Sequence, residues 1–297
     1  MKVPAWGIIH TWRNIFFFEG LISILIGVYI WFVVPNSPGT ASFLTEKEKF
    51  VAVQRIVADL KSSKVEVVKA KYVKRAFFNV NTWLLAAADF CALLTAYSMA
   101  LFLPSILNAM GYSGIHSQLM SVPPFVWAAI VCVATTFLSD HTRKRGMWIL
   151  IVMPFTAAGF IIQITAKSVG VRYFGLFFCL MGSLTTAPLI LAWSLDNSAG
   201  HATRAITSGT VITIANCAGL LATWSYRIED SPRYLIGHSL NLSFSLLSLP
   251  FISGAIFNLW LQNKNRASGK EDYKLLNKSE EEVADMGHTH PEFRFTL

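Results

Sequence analysis

Long runs of apolar residues, separated by short polar intervals, dominate this chain. Seven runs are long enough to cross a bilayer as helices: about 14–34, 83–104, 119–138, 147–166, 173–194, 206–226 and 238–261. A hydrocarbon core takes about 20 residues as a helix. The ten-residue alternating segments of a membrane β-barrel do not occur. The pattern therefore predicts an all-α multi-pass membrane protein with about seven transmembrane helices.

Two polar stretches are long. In the interval 36–81, Thr45 and Glu48 have the spacing of a capping box. Phe50, Val51, Val53, Ile56, Val57 and Leu60 then recur in a partly helical pattern. An amphipathic helix lying along the membrane surface is expected there, with an ordinary solvated linker helix as the alternative. The polar, mixed-charge tail 263–297 is expected to be disordered. The chain thus divides into a first span (1–35), a central loop (36–81), a six-helix bundle (82–262) and a tail (263–297).

Composition agrees. Of 297 residues, 54% are hydrophobic and only 14% are charged, where soluble domains carry about a quarter. Mean hydropathy is +0.48. A net charge of +8 raises the question of a nucleic-acid partner, but the basic residues lie between apolar runs, where they set topology. If the loop 36–81 is cytoplasmic, 19 of the 25 Lys and Arg residues fall on the inner side. The positive-inside rule then places the tail in the cytoplasm and the amino terminus outside, with the plasma membrane as the expected location. The first span would start on the outer side, yet no earlier span and no signal-peptide pattern precedes it.

Chemical motifs are few. Cys91, Cys132, Cys179 and Cys217 each sit in an apolar run without metal or redox spacing, and read as buried small side chains. The pair His288 and His290 lacks further ligands, so neither a metal nor a cofactor is predicted. HExxH, GxSxG and P-loop patterns do not occur, and no pair of carboxylates lies within the apolar runs, so the sequence does not read as an enzyme.

A resemblance emerges from motifs taken in order. The first span and the loop after it carry Trp12, Arg13, Ile15, Phe16, Glu19, Gly20, Pro35, Pro38, Phe43, Leu44, Thr45 and Glu48. Further on come "YSMALFLPSILNAMGYSGIHSQLMSVPPF", "LSDHTRKRG", "WSLDNSAGHATRAITSG", "SPRYLIGHSL" and "HTHPEFRFTL". Together these resemble the carboxyl-terminal part, from the sixth span onward, of a major facilitator superfamily transporter. The fungal allantoate permease-like branch of anion:cation symporters is the nearest in pattern. The resemblance implies a twelve-span fold of which these are spans 6–12. It also implies a carrier truncated by five spans, acting by alternating access with a missing amino-terminal half. Its cargo would be a small organic anion, of allantoate or vitamin-acid type, driven by protons. A seven-span receptor-like protein and an inactive fragment are the alternatives. The loop after the first span is long for a receptor, and receptor signature triplets are absent.

Candidate residues follow from this reading. Asp89 and Glu19 are the acidic residues within the apolar runs, where charge is costly. Glu19 belongs to the family pattern and reads as structural. Asp89 is the candidate for proton coupling. Polar groups near the bilayer midplane are candidates for substrate binding: Tyr97, Trp193, Asn197 and Asn216. The resemblance assigns Asp140, Arg143 and Arg145 to a latch between neighbouring helices that holds the outward-facing state. Pro154, Pro188 and Pro250 sit inside spans, where each removes a backbone donor and can kink its helix.

Overall fold

A computed structural model describes residues 13–60, 70–276, 278–279, 282–283 and 286–297. The chain falls into two units, Met1–Val65 and Glu66–Leu297.

In the first unit, α1 (Arg13–Val33) is a single apolar helix ending just before Pro35. A 3-10 turn at Pro38–Thr40 leads to α2 (Glu46–Leu60). The expected capping box is present. Glu48 accepts from the Thr45 amide at 2.9 Å, and the Glu48 amide donates to Thr45 Oγ1 at 3.4 Å. The Thr45 amide and the Thr45 hydroxyl, which also donates to this carboxylate at 2.8 Å, hold the exposed Glu48 carboxyl below its usual pKa. Phe50, Val51, Val53 and Ile56 of α2 are exposed, an apolar surface of the kind expected for an interfacial helix. The side chains of Val57 and Leu60 lie outside the described residues.

The second unit holds a helical bundle. It begins with α3 (Ala70–Phe77) and continues with α4 (Val80–Ala109), α5 (Ile115–Thr142), α6 (Arg145–Thr165) and α7 (Val169–Asp196). It ends with α8 (His201–Asn216), α9 (Ala218–Ala222) and α10 (Leu235–Ala267). Seven helical stretches of the described residues are long and apolar enough to cross a membrane, one in the first unit and six here. The helices overrun the apolar runs. The run 83–104 lies within a helix of 30 residues, and 238–261 within one of 33. Polar turns extend them beyond the hydrocarbon thickness, because helical hydrogen bonding does not stop where hydropathy falls. The run 206–226 instead ends early, at Ala222, and is interrupted at Cys217.

One boundary also moves. Residues 36–81 read as a single loop in the sequence, yet α3 belongs to the bundle unit. Its Tyr72 and Ala76 are buried, and Thr82 of α4 donates to the Ala76 carbonyl at 3.0 Å.

Close backbone approach holds the bundle together. A Cβ at Gly159 of α6 would lie 2.6 Å from the Cys179 amide nitrogen of α7. One at Gly175 would meet Ile162 at 2.8 Å. Glycine lets the two helices interlock, the usual device in lipid, where apolar side chains gain little from leaving the bilayer. Two buried clusters result. One joins the start of α4 and α6 to the ends of α7 and α10, around Leu85, Ile149, Ile190, Trp193 and Leu259. The other lies at the opposite end, around Leu103, Leu107, Phe160, Leu176 and Tyr226.

The tail departs from expectation. Its last residues are packed, with Phe295 buried in the first cluster and Phe293 and Leu297 against it. The composition is polar, but three apolar side chains in the final five positions have a surface to cover. Part of the stretch expected to be disordered, at 277, 280–281 and 284–285, lies outside the described residues.

Candidate functional site

The polar residues singled out by sequence gather in two places. The first is where α5, α6 and α7 end or begin. Arg143 adopts a left-handed backbone, φ 53°, which ends α5 and lets the chain reverse into α6. That turn aims Arg145 back at α5 and across to α7. Its guanidinium pairs with Asp140 at 2.7 Å and with Asp196 at 2.5 Å. Arg145 is largely buried, and the two aspartates are half-exposed. The arrangement ties three helices with one cation. Arg143 lies beside it and forms no ion pair among the described residues. The sequence pointed to Asp140, Arg143 and Arg145. Asp196 was missed, although "SLDN" stood among the family-like motifs. Only folding brings it 51 positions back to Arg145.

Next to this cluster the tail docks. Asn197 grips the Thr296 backbone on both sides: its Oδ1 accepts from the amide at 2.8 Å, and its Nδ2 donates to the carbonyl at 3.1 Å. The Trp193 indole donates to the same carbonyl at 2.8 Å. Asn263 of α10 grips Phe295 likewise, at 2.9 Å in both directions. Arg266 donates to the carbonyls of Phe293 and His288, and its guanidinium lies over the Phe295 ring, 4.4 Å from the centroid. Gly287 has φ +54°, and a Cβ there would come within 3.0 Å of the Ala199 carbonyl. The tail therefore lies close on the bundle. His288 is buried, and its pKa is pushed down to about 4 by burial and by the charges of Arg75 and Arg266. His290 plays a separate part, accepting from the Glu292 amide at 3.1 Å.

A cavity of about 480 Å³ lies between the ion-pair cluster and the tail. Ser139, Asp140, Arg143, Arg145, Asp196 and Arg204 line it from the bundle, and Phe293, Arg294 and Thr296 from the tail.

The second place is on α4, α8 and α9. Tyr97 donates to Asn216 Oδ1 at 2.6 Å, and Asn216 Nδ2 donates to the Ile212 carbonyl at 2.8 Å. The Tyr97 ring packs over Gly219. This polar pair sits beside the helix interruption at Cys217. Asp89, about two helix turns nearer the start of α4, is buried, and its Oδ1 has no hydrogen-bond partner among the described residues. The four substrate candidates are thus split: Tyr97 and Asn216 are bonded to each other, while Trp193 and Asn197 are engaged by the tail.

Comparison with known proteins fits this architecture. Residues 3–224 match the family model of the Major Facilitator Superfamily. An uncharacterised transporter of Schizosaccharomyces pombe is 31% identical, over 92% of this chain and 55% of its own length. The high-affinity nicotinic acid transporter of Saccharomyces cerevisiae is 27% identical, over 97% of this chain and 54% of its own. A major facilitator-type transporter of Emericella nidulans is 27% identical, over 97% of this chain and 59% of its own. The chain spans little more than half the length of these relatives. With the family model covering most of its length and six helices in one bundle, this multi-pass membrane chain belongs to the major facilitator superfamily.

Proposed function

We infer that the chain supplies one six-helix bundle, with a preceding span, to an alternating-access carrier of a small organic anion. The observation that carries this reading is the Tyr97–Asn216 pair, a polar contact between α4 and α8 beside a helix interruption. Broken helices with exposed polar groups are where membrane carriers place their cargo. Asn216 Nδ2 can donate to a carboxylate, and Tyr97 offers a ring face with a hydroxyl tip. The nicotinic acid transporter among the relatives makes nicotinate the first cargo to test, and the allantoate permease-like motifs add allantoate.

In this reading Asp89 carries the coupled proton, since a buried carboxylate without a partner is costly in the membrane. Asp140 and Arg145, joined by Asp196, latch the helix ends in one of the two states, with Arg143 beside them. The tail end faces the cytoplasm of the plasma membrane, following the distribution of basic residues. Substrate passes at the interface with a second bundle of the kind that the longer relatives carry.

The test is uptake of labelled nicotinate and allantoate by yeast cells lacking their own carriers. The chain is expressed alone or with a complementary amino-terminal bundle taken from a full-length relative. Uptake is expected only with both, and Asn216→Leu abolishes it. Asp89→Asn is expected to remove proton-driven accumulation while leaving exchange of labelled for unlabelled anion. Absence of uptake in every combination, or uptake indifferent to Asn216→Leu, overturns the reading.

A further inference from the structure

The cavity beneath the tail is not explained by the carrier reading, and its chemistry points elsewhere. Its lining contains four arginines and two aspartates. Both aspartates are committed to Arg145. Arg143, Arg204 and Arg294 are left without a carboxylate partner among the described residues. Arg204 donates through Nε to the Ser198 carbonyl at 2.7 Å, and Arg294 through one terminal nitrogen to the Pro291 carbonyl. Each guanidinium keeps further N–H groups available. The formal charge of the lining is +2. In a recess walled by protein, where screening is weaker than in bulk water, that excess attracts anions.

A buried donor strengthens the case. Ser139 is wholly buried and lines the same cavity, and its Oγ has no hydrogen-bond partner among the described residues. Buried hydroxyls are seldom left so, because an unmade hydrogen bond away from water is costly. Its neighbour Thr142 returns its own hydroxyl to the Leu138 carbonyl at 2.8 Å, the ordinary solution for a helical hydroxyl in lipid. Ser139 does not.

We propose that this cavity binds an organic phosphate, clasped between the bundle and the carboxyl-terminal tail. Three unpaired guanidiniums, from the end of α5, the first turn of α8 and the tail, offer more donors than the two oxygens of a carboxylate accept in paired fashion. A phosphate ester has oxygens enough, and arginine is suited to it. Phe293 gives the cavity an apolar wall, and a volume of about 480 Å³ leaves room for more than the phosphate itself. Arg294 belongs to the tail, whereas Arg143 and Arg204 belong to the bundle. The bound anion therefore bridges the two and fastens the tail in place. The ligand is either the headgroup of an anionic phospholipid or a soluble phosphate ester.

The experiment separates these sources and does not depend on transport. The full 297-residue chain is purified in neutral detergent. Its thermal unfolding is followed with glycerol 3-phosphate, and with acetate at equal ionic strength. A second arm places it in nanodiscs of phosphatidylcholine, with or without phosphatidylinositol. Stabilisation by glycerol 3-phosphate in detergent supports a soluble ester. Stabilisation only in the phosphatidylinositol discs supports a lipid headgroup. In either case Arg294→Gln, on an exposed side chain, and Arg143→Gln each weaken the half-saturating concentration about tenfold, the loss of one charge-assisted contact. Arg233→Gln, at the other end of the bundle, leaves it unchanged. Circular dichroism of the ligand-free variants verifies that they fold. An equal effect of acetate overturns the assignment to phosphate. No stabilisation by any probe, or stabilisation indifferent to Arg294→Gln and Arg143→Gln, overturns the site.

Discussion

The two ends of the bundle are held by different chemistry. At the end away from the tail, the contacts around Tyr226 are neutral and buried, while Arg233 and Asp230 bond to backbone groups at its exposed edge. The Tyr226 hydroxyl meets His238 Nδ1 at 3.0 Å, and Asn241 Nδ2 donates to that hydroxyl at 3.4 Å. Ser98 and Ser225 bond at 3.0 Å. A Cβ at Gly237 would lie 2.6 Å from the Tyr226 ring and 2.7 Å from the Ser225 carbonyl. Burial pushes the Tyr226 hydroxyl well above its ordinary pKa, so it stays neutral at any working pH. At the tail end, by contrast, a single cation joins three helices, and the closing surface is a chain terminus held by backbone bonds and one buried histidine. The first end is held by shape and by hydrogen bonds, with no ion pair between its helices among the described residues. The second is fastened by charges and by a segment that can leave without unfolding a helix. Of the two ends, the tail end is the one with the means to release.

Acid is expected to have the largest effect on tail docking, through His288. His288 has a pKa of about 4 when docked, against ~6.5 for an exposed imidazole. The undocked tail binds more protons between these values, so docking is strongest above about pH 6.5. It weakens as pH falls through the window toward 4. The full difference is about 3 kcal/mol, since each pKa unit corresponds to ~1.4 kcal/mol. Protease cleavage of the tail, measured from pH 7.5 down to 4.5, is expected to accelerate in wild type. His288→Gln should flatten that dependence. A profile equally steep in the variant would assign the effect to another group.

A change at the opposite end tests the other half of the comparison. Gly237→Val forces a Cβ carrying two methyl groups against the Tyr226 ring and a backbone carbonyl that cannot move aside. Overpacking of this kind costs about 1–3 kcal/mol. The melting temperature in detergent is expected to fall, with tail protection at neutral pH unchanged until the bundle itself melts. Loss of tail protection in the folded variant would mean that the ends are coupled through the bundle rather than independent.

These differences were only partly legible in the chain. The seven apolar runs were plain, because a bilayer demands length and hydropathy that no soluble element shares. The ends of the helices were not, since backbone hydrogen bonding continues past the apolar core, as α4 and α10 illustrate. Asp140 and Arg145 were readable from local charge and family pattern, but Asp196 required the fold to bring it near. The tail was misjudged for a related reason. Its polarity masked Phe293, Phe295 and Leu297, whose positions matter only once Trp193, Asn197 and Asn263 present a surface to them. Trp193 and Asn197 stood out in the sequence as candidate substrate groups near the bilayer midplane. Hydropathy could not say that their partner would be the chain's own terminus.

Asn197→Ala should have a smaller effect than acid, confined to the tail end. It removes two bonds to the Thr296 backbone and leaves that amide to water or to nothing. The loss is about 1–2 kcal/mol, because net hydrogen bonds contribute ~1 kcal/mol each when the freed groups are rehydrated. Tail cleavage is expected to speed at neutral pH by roughly tenfold, while the bundle melts as before. Asn263→Ala, which frees Phe295 in the same manner, should match it. If either leaves cleavage untouched, the aromatic contacts rather than the paired amides hold the terminus.

The smallest change in stability is expected from Asp196→Asn. Asp196 is half-exposed, and a partly solvated ion pair contributes below about 1 kcal/mol. Arg145 also keeps Asp140, so the cation is not stranded. The informative quantity is therefore not the melting temperature but the balance between states. A fastener joining three helices acts on that balance directly, since it is made with the ends together and broken with them apart. Asp196→Asn should raise the labelling rate of a cysteine placed at Ser139, which is wholly buried in this arrangement. Raising ionic strength should do the same in wild type, because these charges lie near enough to solvent to be screened. The Gly237→Val variant should gain no such sensitivity. If salt and Asp196→Asn leave the cysteine as protected as before, the charges merely decorate a fixed end, and the contrast between a locked end and a releasable one fails.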